Sequence, residues 1–253
     1  MKRTLRLTIF LSLVVALWAA ISRAHLWPPF LFPSPHATAE ALRQGFSDHT
    51  YVLAIGTGLR RVLIGYTVSA IVGIILGTLI GASSWLEDTL GTVIGGLQSL
   101  PSICWVPVAI LWFGLSETAI LFVTVVGSVL AVTINVVAGI RNVPNIYVVA
   151  GRNLGASGVR FFTNILLPAS LPHILSGLKQ GWALAWRSLI TGEMMFLTLG
   201  LGQLLMMGRD LNDMGQVFAV MFLITAVGYS IECLVFRPAE VRLQRRWGVG
   251  GAR

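Results

Sequence analysis

Six apolar runs, at about residues 5–21, 59–80, 90–113, 119–140, 171–198 and 217–236, dominate this chain and leave only short polar segments between them. A bilayer core of about 30 Å needs roughly 20 residues of α-helix to cross it. Within hydrocarbon each backbone N–H and C=O must find its partner inside the protein, and a helix meets that condition within one segment. The runs therefore predict an all-α membrane protein of six transmembrane helices, organised as a single domain over residues 1–253.

Composition agrees. The chain is 55% hydrophobic and 11% charged, where a soluble domain carries about a quarter charged residues. Its formal charge of +8 raises the question of a nucleic-acid partner, but the basic residues are dispersed at the ends of apolar runs, as an orientation signal requires. Lipid is the expected surrounding and no nucleic acid is expected. Cys104 and Cys233 lie within apolar runs without metal or redox spacing, so they read as small apolar residues. His25, His36 and His49 lack helical ligand spacing and read as solvated loop residues.

The first run follows Lys2, Arg3 and Arg6 and precedes Ser22-Arg23-Ala24, a loose match to a signal-peptide cleavage site; its length suits a first spanning helix. Pro28, Pro29, Pro33 and Pro35 break the next segment, and a short helix is expected from Thr38 as cap. In the second span Gly65, Ser69, Gly73, Gly77 and Gly81 recur every fourth residue. Such a small-residue face lets helix backbones approach closely in lipid. Trp85, Glu87 and Asp88 read as a loop. Pro101 and Pro107 should kink the third span, and Asn135 in the fourth should bond to a neighbouring helix.

Residues 141–168 behave differently. Arg141 to Ser157 is too polar to span, Pro144 can open a short helix and Gly155 can close it by a sharp turn, with Ser157 capping the next helix. The fifth span carries Lys179, Arg187 and Glu193. Charges at membrane depth face protein or water; Lys179 is placed to snorkel, whereas Arg187, about 12 Å further along the helix, should lie near mid-membrane. Arg187 and Glu193 are six residues apart and cannot pair on one helix, so each needs another partner, water or, for Arg187, an anionic substrate. Leu199 to Gln216 reads as an external loop with a short amphipathic segment, Gln203 to Met207, and the sixth span should end at Arg237-Pro238 before a solvated tail.

Gly155 is followed by Ile165, Leu167 and Pro168 in the spacing G-x9-I-x-L-P. This resembles the "EAA loop" of importer permeases of the ATP-binding-cassette class, nearest in appearance to those for nitrate, sulfonates and taurine. Val149, Ala150 and Gly151 stand where that family has Glu-Ala-Ala, so the acidic residue is absent here. The resemblance implies that the loop, with Arg152 exposed, is a cytoplasmic coupling helix between spans 4 and 5 that docks on an ATPase subunit. It further implies cytoplasmic ATP-binding subunits, an external substrate-binding protein and a homodimer. The string LPSICWVPVAILWFGLSE resembles the family's pathway-lining helix, which makes Gln98, Ser99, Ser102 and Trp105 candidates for the translocation path beside Arg187. Gly192-Glu193-Met194 resembles the family's Ala-Glu-Met, implying a structural or gating role for Glu193.

With both termini in the cytoplasm, eleven Lys and Arg, Arg253 among them, fall inside and five outside; Arg60 and Arg61 are the uncomfortable outer ones. The expected location is the inner membrane of a bacterium. No nucleophile–base pair, metal cluster or phosphate loop occurs, so no cofactor is expected and ATP hydrolysis belongs to a partner. A stand-alone channel or secondary transporter is the competing reading, with Arg187, Glu193 and Glu232 as its only intramembrane ion-coupling candidates.

Overall fold

A computed structural model describes residues 2–24, 26–28, 30–196 and 198–247; His25, Pro29 and Arg253 lie outside these. Helix α1 (Lys2–Arg23) leads through the proline-broken connector to α2 (Pro35–Ser47). Ser34, not Thr38, caps α2: its Oγ accepts from the Ala37 N–H at 3.1 Å. Pro35 holds Ser34 in the extended conformation a cap requires, and Thr38 is buried one turn further on.

Helix α3 (Thr50–Ala82) runs 33 residues, starting well before the apolar run that predicts it. The expected loop at Trp85 to Asp88 is helical. Ser83 caps α4 (Ser84–Leu86), and a π turn (Glu87–Gly91) carries the helix into α5 (Thr92–Gln98). The expected third span is divided: the chain opens at Ser99–Pro101, forms a 3-10 turn (Ser102–Trp105) and enters α6 (Val106–Phe113), with a bend of 100° between the two arms. Pro101 supplies the break, whereas Pro107 sits in the first turn of α6, where its missing N–H costs nothing.

Ser116 caps α7 (Glu117–Arg141), which is followed by the short α8 (Asn145–Asn153). Helix α9 (Gly158–Phe161) passes through a π turn (Phe162–Leu166) into α10 (Leu167–Met195). The expected external loop contains α11 (Leu201–Asp210). Asp213 caps α12 (Met214–Ile231), and a π turn (Glu232–Phe236) continues it into α13 (Arg237–Trp247). The last helix thus does not stop at Arg237-Pro238. Two of the π turns end two residues before a proline, Pro168 and Pro238. A local π adjustment is one way to re-satisfy carbonyls that a proline leaves without a donor, so the helix continues where a simple proline rule stops it.

Helix α7 is the centre of the bundle. On one side a Cβ added to Gly73 or Gly77 of α3 would come within 2.7 or 2.6 Å of the Cβ of Val132 or Val136, and one on Gly81 within 3.0 Å of Ile140. Ser69 Oγ donates across the same seam to the Val125 carbonyl at 3.1 Å. The stripe of five small residues is therefore the α3–α7 contact, at a backbone approach that only small residues allow. On its other side α7 meets α10, where Gly177 faces Asn135 and Gly192 faces Ile120. Asn135 Nδ2 donates to Gln180 Oε1 at 2.8 Å, which is the expected interhelical bond. Helix α1 lies against α12, its Trp18 ring 5.8 Å from Phe218 and its indole N–H donating to the Pro33 carbonyl.

Among the described residues four helices are long and apolar enough to cross a membrane, or five if the bent pair at Ser99–Pro101 forms one span. Helix α10 is not among them, although its 29 residues reach about 43 Å. Its charged residues lower its hydropathy, and their placement decides what the helix can do.

Candidate translocation cavity and coupling segment

The break at Pro101 and the middle of α10 enclose a cavity of about 290 Å³. Gln98, Ser99, Ser102 and Trp105 line it from the broken segment, and Arg187 and Ser188 from α10. Five of the six residues expected on the path are thus brought together. Gly127 of α7 makes this possible: a Cβ there would stand 2.8 Å from Ser188 Cβ and 3.3 Å from Ser102 Cβ. The rest of the lining is apolar, including Leu100, Val126, Leu130 and Leu184.

Arg187 is exposed and, among the described residues, forms no ion pair. It also borders a larger cavity, about 650 Å³, between α10 and the α12–α13 helix. That cavity contains Glu232 and Glu240, but both are engaged by Lys179 Nζ, at 3.2 and 3.4 Å. Lys179 is therefore held by the last helix; it is not left to reach for the interface.

Glu193 lies away from the cavity, with none of its surface exposed. Its Oε1 accepts from Arg61 Nη1 at 3.0 Å and its Oε2 from the Gly202 N–H at 3.1 Å. Arg61, 3% exposed, also donates to the Leu199 carbonyl and to Glu117 Oε1, and Arg60 donates to Glu117 Oε2 at 2.8 Å. One guanidinium thereby ties α3, α7, α10 and the segment leading to α11. A Cβ on Gly200 would collide with the Glu193 carboxylate, so a glycine is needed where that segment crosses it.

In the candidate coupling segment, Gly155 has φ +81°, the left-handed region glycine enters without strain. Its N–H donates to the Arg152 carbonyl, and the Ala156 N–H to that of Gly151. These are the two bonds of a Schellman closure. Gly151 is the one buried residue of α8, and any side chain there would strike Ile165. Arg152 lies over the Phe161 ring, 5.8 Å from its centroid. Val149 and Ala150 face outward with Ile146 and Leu154, Val149 being 48% exposed. Leu167 packs with Phe162 and Leu166 against Val132, Val136 and Ile140 of α7, and Pro168 occupies the first turn of α10.

Residues 69–248 match the family described as binding-protein-dependent transport system inner membrane component. The chain belongs to this family. It is a transmembrane permease subunit of an ATP-binding-cassette transporter, an inner-membrane protein of the transport class and not a catalytic enzyme. This permease is 30% identical to the bicarbonate transport system permease protein CmpB of Synechocystis sp. PCC 6803, over 85% of this chain and 80% of that one. It is 31% identical to the nitrate import permease protein NrtB of Leptolyngbya laminosa, over 75% and 68%. Its identity to the taurine transport system permease protein TauC of Escherichia coli K12 is 26%, over 92% and 86%. Its fold is similar to that of a chain of the inward-facing MetNI methionine ABC transporter, with a TM-score of 0.59 over 78% of this permease and 97% of that chain, at 20% identity.

Sequence reasoning left Arg61 as an awkward outer charge. The signal that could have placed it is the stripe itself: Arg61 lies four residues before Gly65 and shares the face of Gly65, Ser69 and Gly73. An arginine on the packing face of the permease must have an internal acid, and Glu193 is the buried candidate. Glu117 completes the network through the end of α7.

Proposed function

We propose that this permease forms the translocation path of an ATP-driven importer for a small anionic solute such as nitrate, a sulfonate or taurine. It would work as a homodimer with two cytoplasmic ATP-binding subunits and an external substrate-binding protein. In this reading the chain has six spans, with α10 as the fifth, and both termini in the cytoplasm, so that α8 would lie on the ATPase side. The observation that carries the reading is the construction of α8: fixed on Ile165 through Gly151, closed by Gly155, and turned outward with Val149, Ala150 and Leu154.

An ATPase that grips the outer face of α8 moves Gly151 against Ile165, and the displacement passes through Leu167 and Pro168 to α7 and α10. These helices border the cavity at Arg187, so the motion exchanges outward for inward access between two global states. The apolar Val149 implies that docking relies on packing and shape at the position where the family has a carboxylate. The anionic class is supported by Arg187, which has no ion-pair partner among the described residues, and by the names of the bicarbonate and nitrate relatives.

Gly155→Leu tests the coupling role. The αL strain costs about 1–3 kcal/mol at a surface turn, so the permease should insert and fold while ATP-driven uptake is abolished. Normal uptake by a correctly inserted Gly155→Leu protein would sink the coupling reading.

A further inference from the structure

Building on the importer reading, and narrowing its solutes so that taurine is disfavoured, we infer that the cavity at the Pro101 break is a binding station for a monoanion that carries no ammonium group. The inference comes from its charge inventory. Among the described residues Arg187 is the only charged one that lines it, and its polar companions Gln98, Ser99, Ser102 and Ser188 are neutral. No carboxylate among the described residues borders the cavity, and the nearby acids are committed: Glu193 to Arg61 and Gly202, Glu232 and Glu240 to Lys179.

A guanidinium stays protonated and offers a planar fork of donors, which fits the paired oxygens of a nitrate, carboxylate or sulfonate. Serine hydroxyls and the Gln98 amide can donate to the remaining oxygen lone pairs. One anionic charge balances the site. An ammonium on the same solute would meet no carboxylate to offset its partial desolvation, and a second anionic charge would have no cation. Trp105 is the one lining group that attracts a cation through its ring, a weaker and more distance-dependent interaction than a carboxylate offers. The apolar wall of Leu100, Leu130 and Leu184 suits a methyl or methylene body in place of the ammonium. The station therefore separates solutes that share a sulfonate head but differ in their other end.

Propane-1-sulfonate and taurine form a matched pair of probes, since one has a methyl group where the other has an ammonium. Equilibrium binding of each radiolabelled probe should be measured on the purified full-length permease in lipid nanodiscs. Propane-1-sulfonate should bind about ten-fold or more tightly than taurine. Arg187→Gln should remove that binding and Arg187→Lys should retain part of it, while both variants keep the elution profile and unfolding temperature of the parent. Taurine binding as tightly as propane-1-sulfonate, failure of propane-1-sulfonate to bind, or indifference of propane-1-sulfonate to Arg187→Gln overturns the inference. The importer reading is tested separately, by asking whether the same preparation captures ATP-binding subunits from its native membranes. Its failure leaves the probe comparison standing, and the reverse also holds.

Discussion

Arg187 and Glu193 lie six residues apart on α10, about 9 Å along one helix, yet the bundle treats them in opposite ways. Glu193 is sealed by Arg61, the Gly202 N–H and the crossing of Gly200. Arg187 opens onto two cavities and has no ion-pair partner among the described residues. Lys179, eight residues on the other side of Arg187, is intermediate: paired twice, but a third exposed. A charge in a membrane helix is thus a structural fastener where its partners are complete and an open site where they are missing. The C-terminal end of α10 is tied down, and its middle is left open.

The comparison breaks most visibly at Glu193. Glu193→Ala leaves Arg61 buried beside an empty position, a loss of about 3–5 kcal/mol; it should appear as a large drop in unfolding temperature in nanodiscs. If Glu193→Ala unfolds like the parent, the fastener assignment is wrong. Replacing both partners, Arg61→Met with Glu193→Leu, should recover much of that loss, because paired burial of charges often does little better than packed apolar groups.

Gly200→Val should cost less, about 1–3 kcal/mol, since the segment before α11 can shift away from the carboxylate. A chemical denaturation midpoint would measure it. Lys179→Ala comes next, at about 1 kcal/mol or below, because water screens a pair exposed to this extent. Arg187→Gln completes the series. As an exposed, unpaired side chain it should change stability by about 0.5 kcal/mol or less while abolishing uptake of an anionic solute by the assembled transporter. A stability loss as large as that of Glu193→Ala would erase the distinction between the two sites.

Much of this could be read from residue order. The apolar runs at Leu90 to Phe113 and Ala119 to Ile140 mark helical regions, and the stripe from Gly65 to Gly81 marks a close helix contact whose partner, α7, only the fold supplies. The turn at Gly155 was legible because a short polar helix needs a closing residue that tolerates positive φ. The break at Pro101 was legible as a kink but not as a 100° bend, since a proline removes a bond without fixing the direction of the next helix. The continuation of α12 through Pro238 was hidden because a π turn is a cooperative adjustment of several residues with no composition of its own.

The sequence by itself determined that the chain is a helical membrane protein, roughly where its long apolar helices run, where a short polar helix interrupts them, and which family motif that segment resembles. These follow from hydropathy, small-residue period and turn chemistry, all of which act over a few neighbouring residues. Only the tertiary structure decided that Arg61 answers Glu193 across 132 positions of chain, that Lys179 is held by Glu232 and Glu240, and that Arg187 faces a cavity without a carboxylate. Whether a charge is neutralised depends on groups within a few ångströms in space, and in a bundle those groups come from helices that local patterns do not pair.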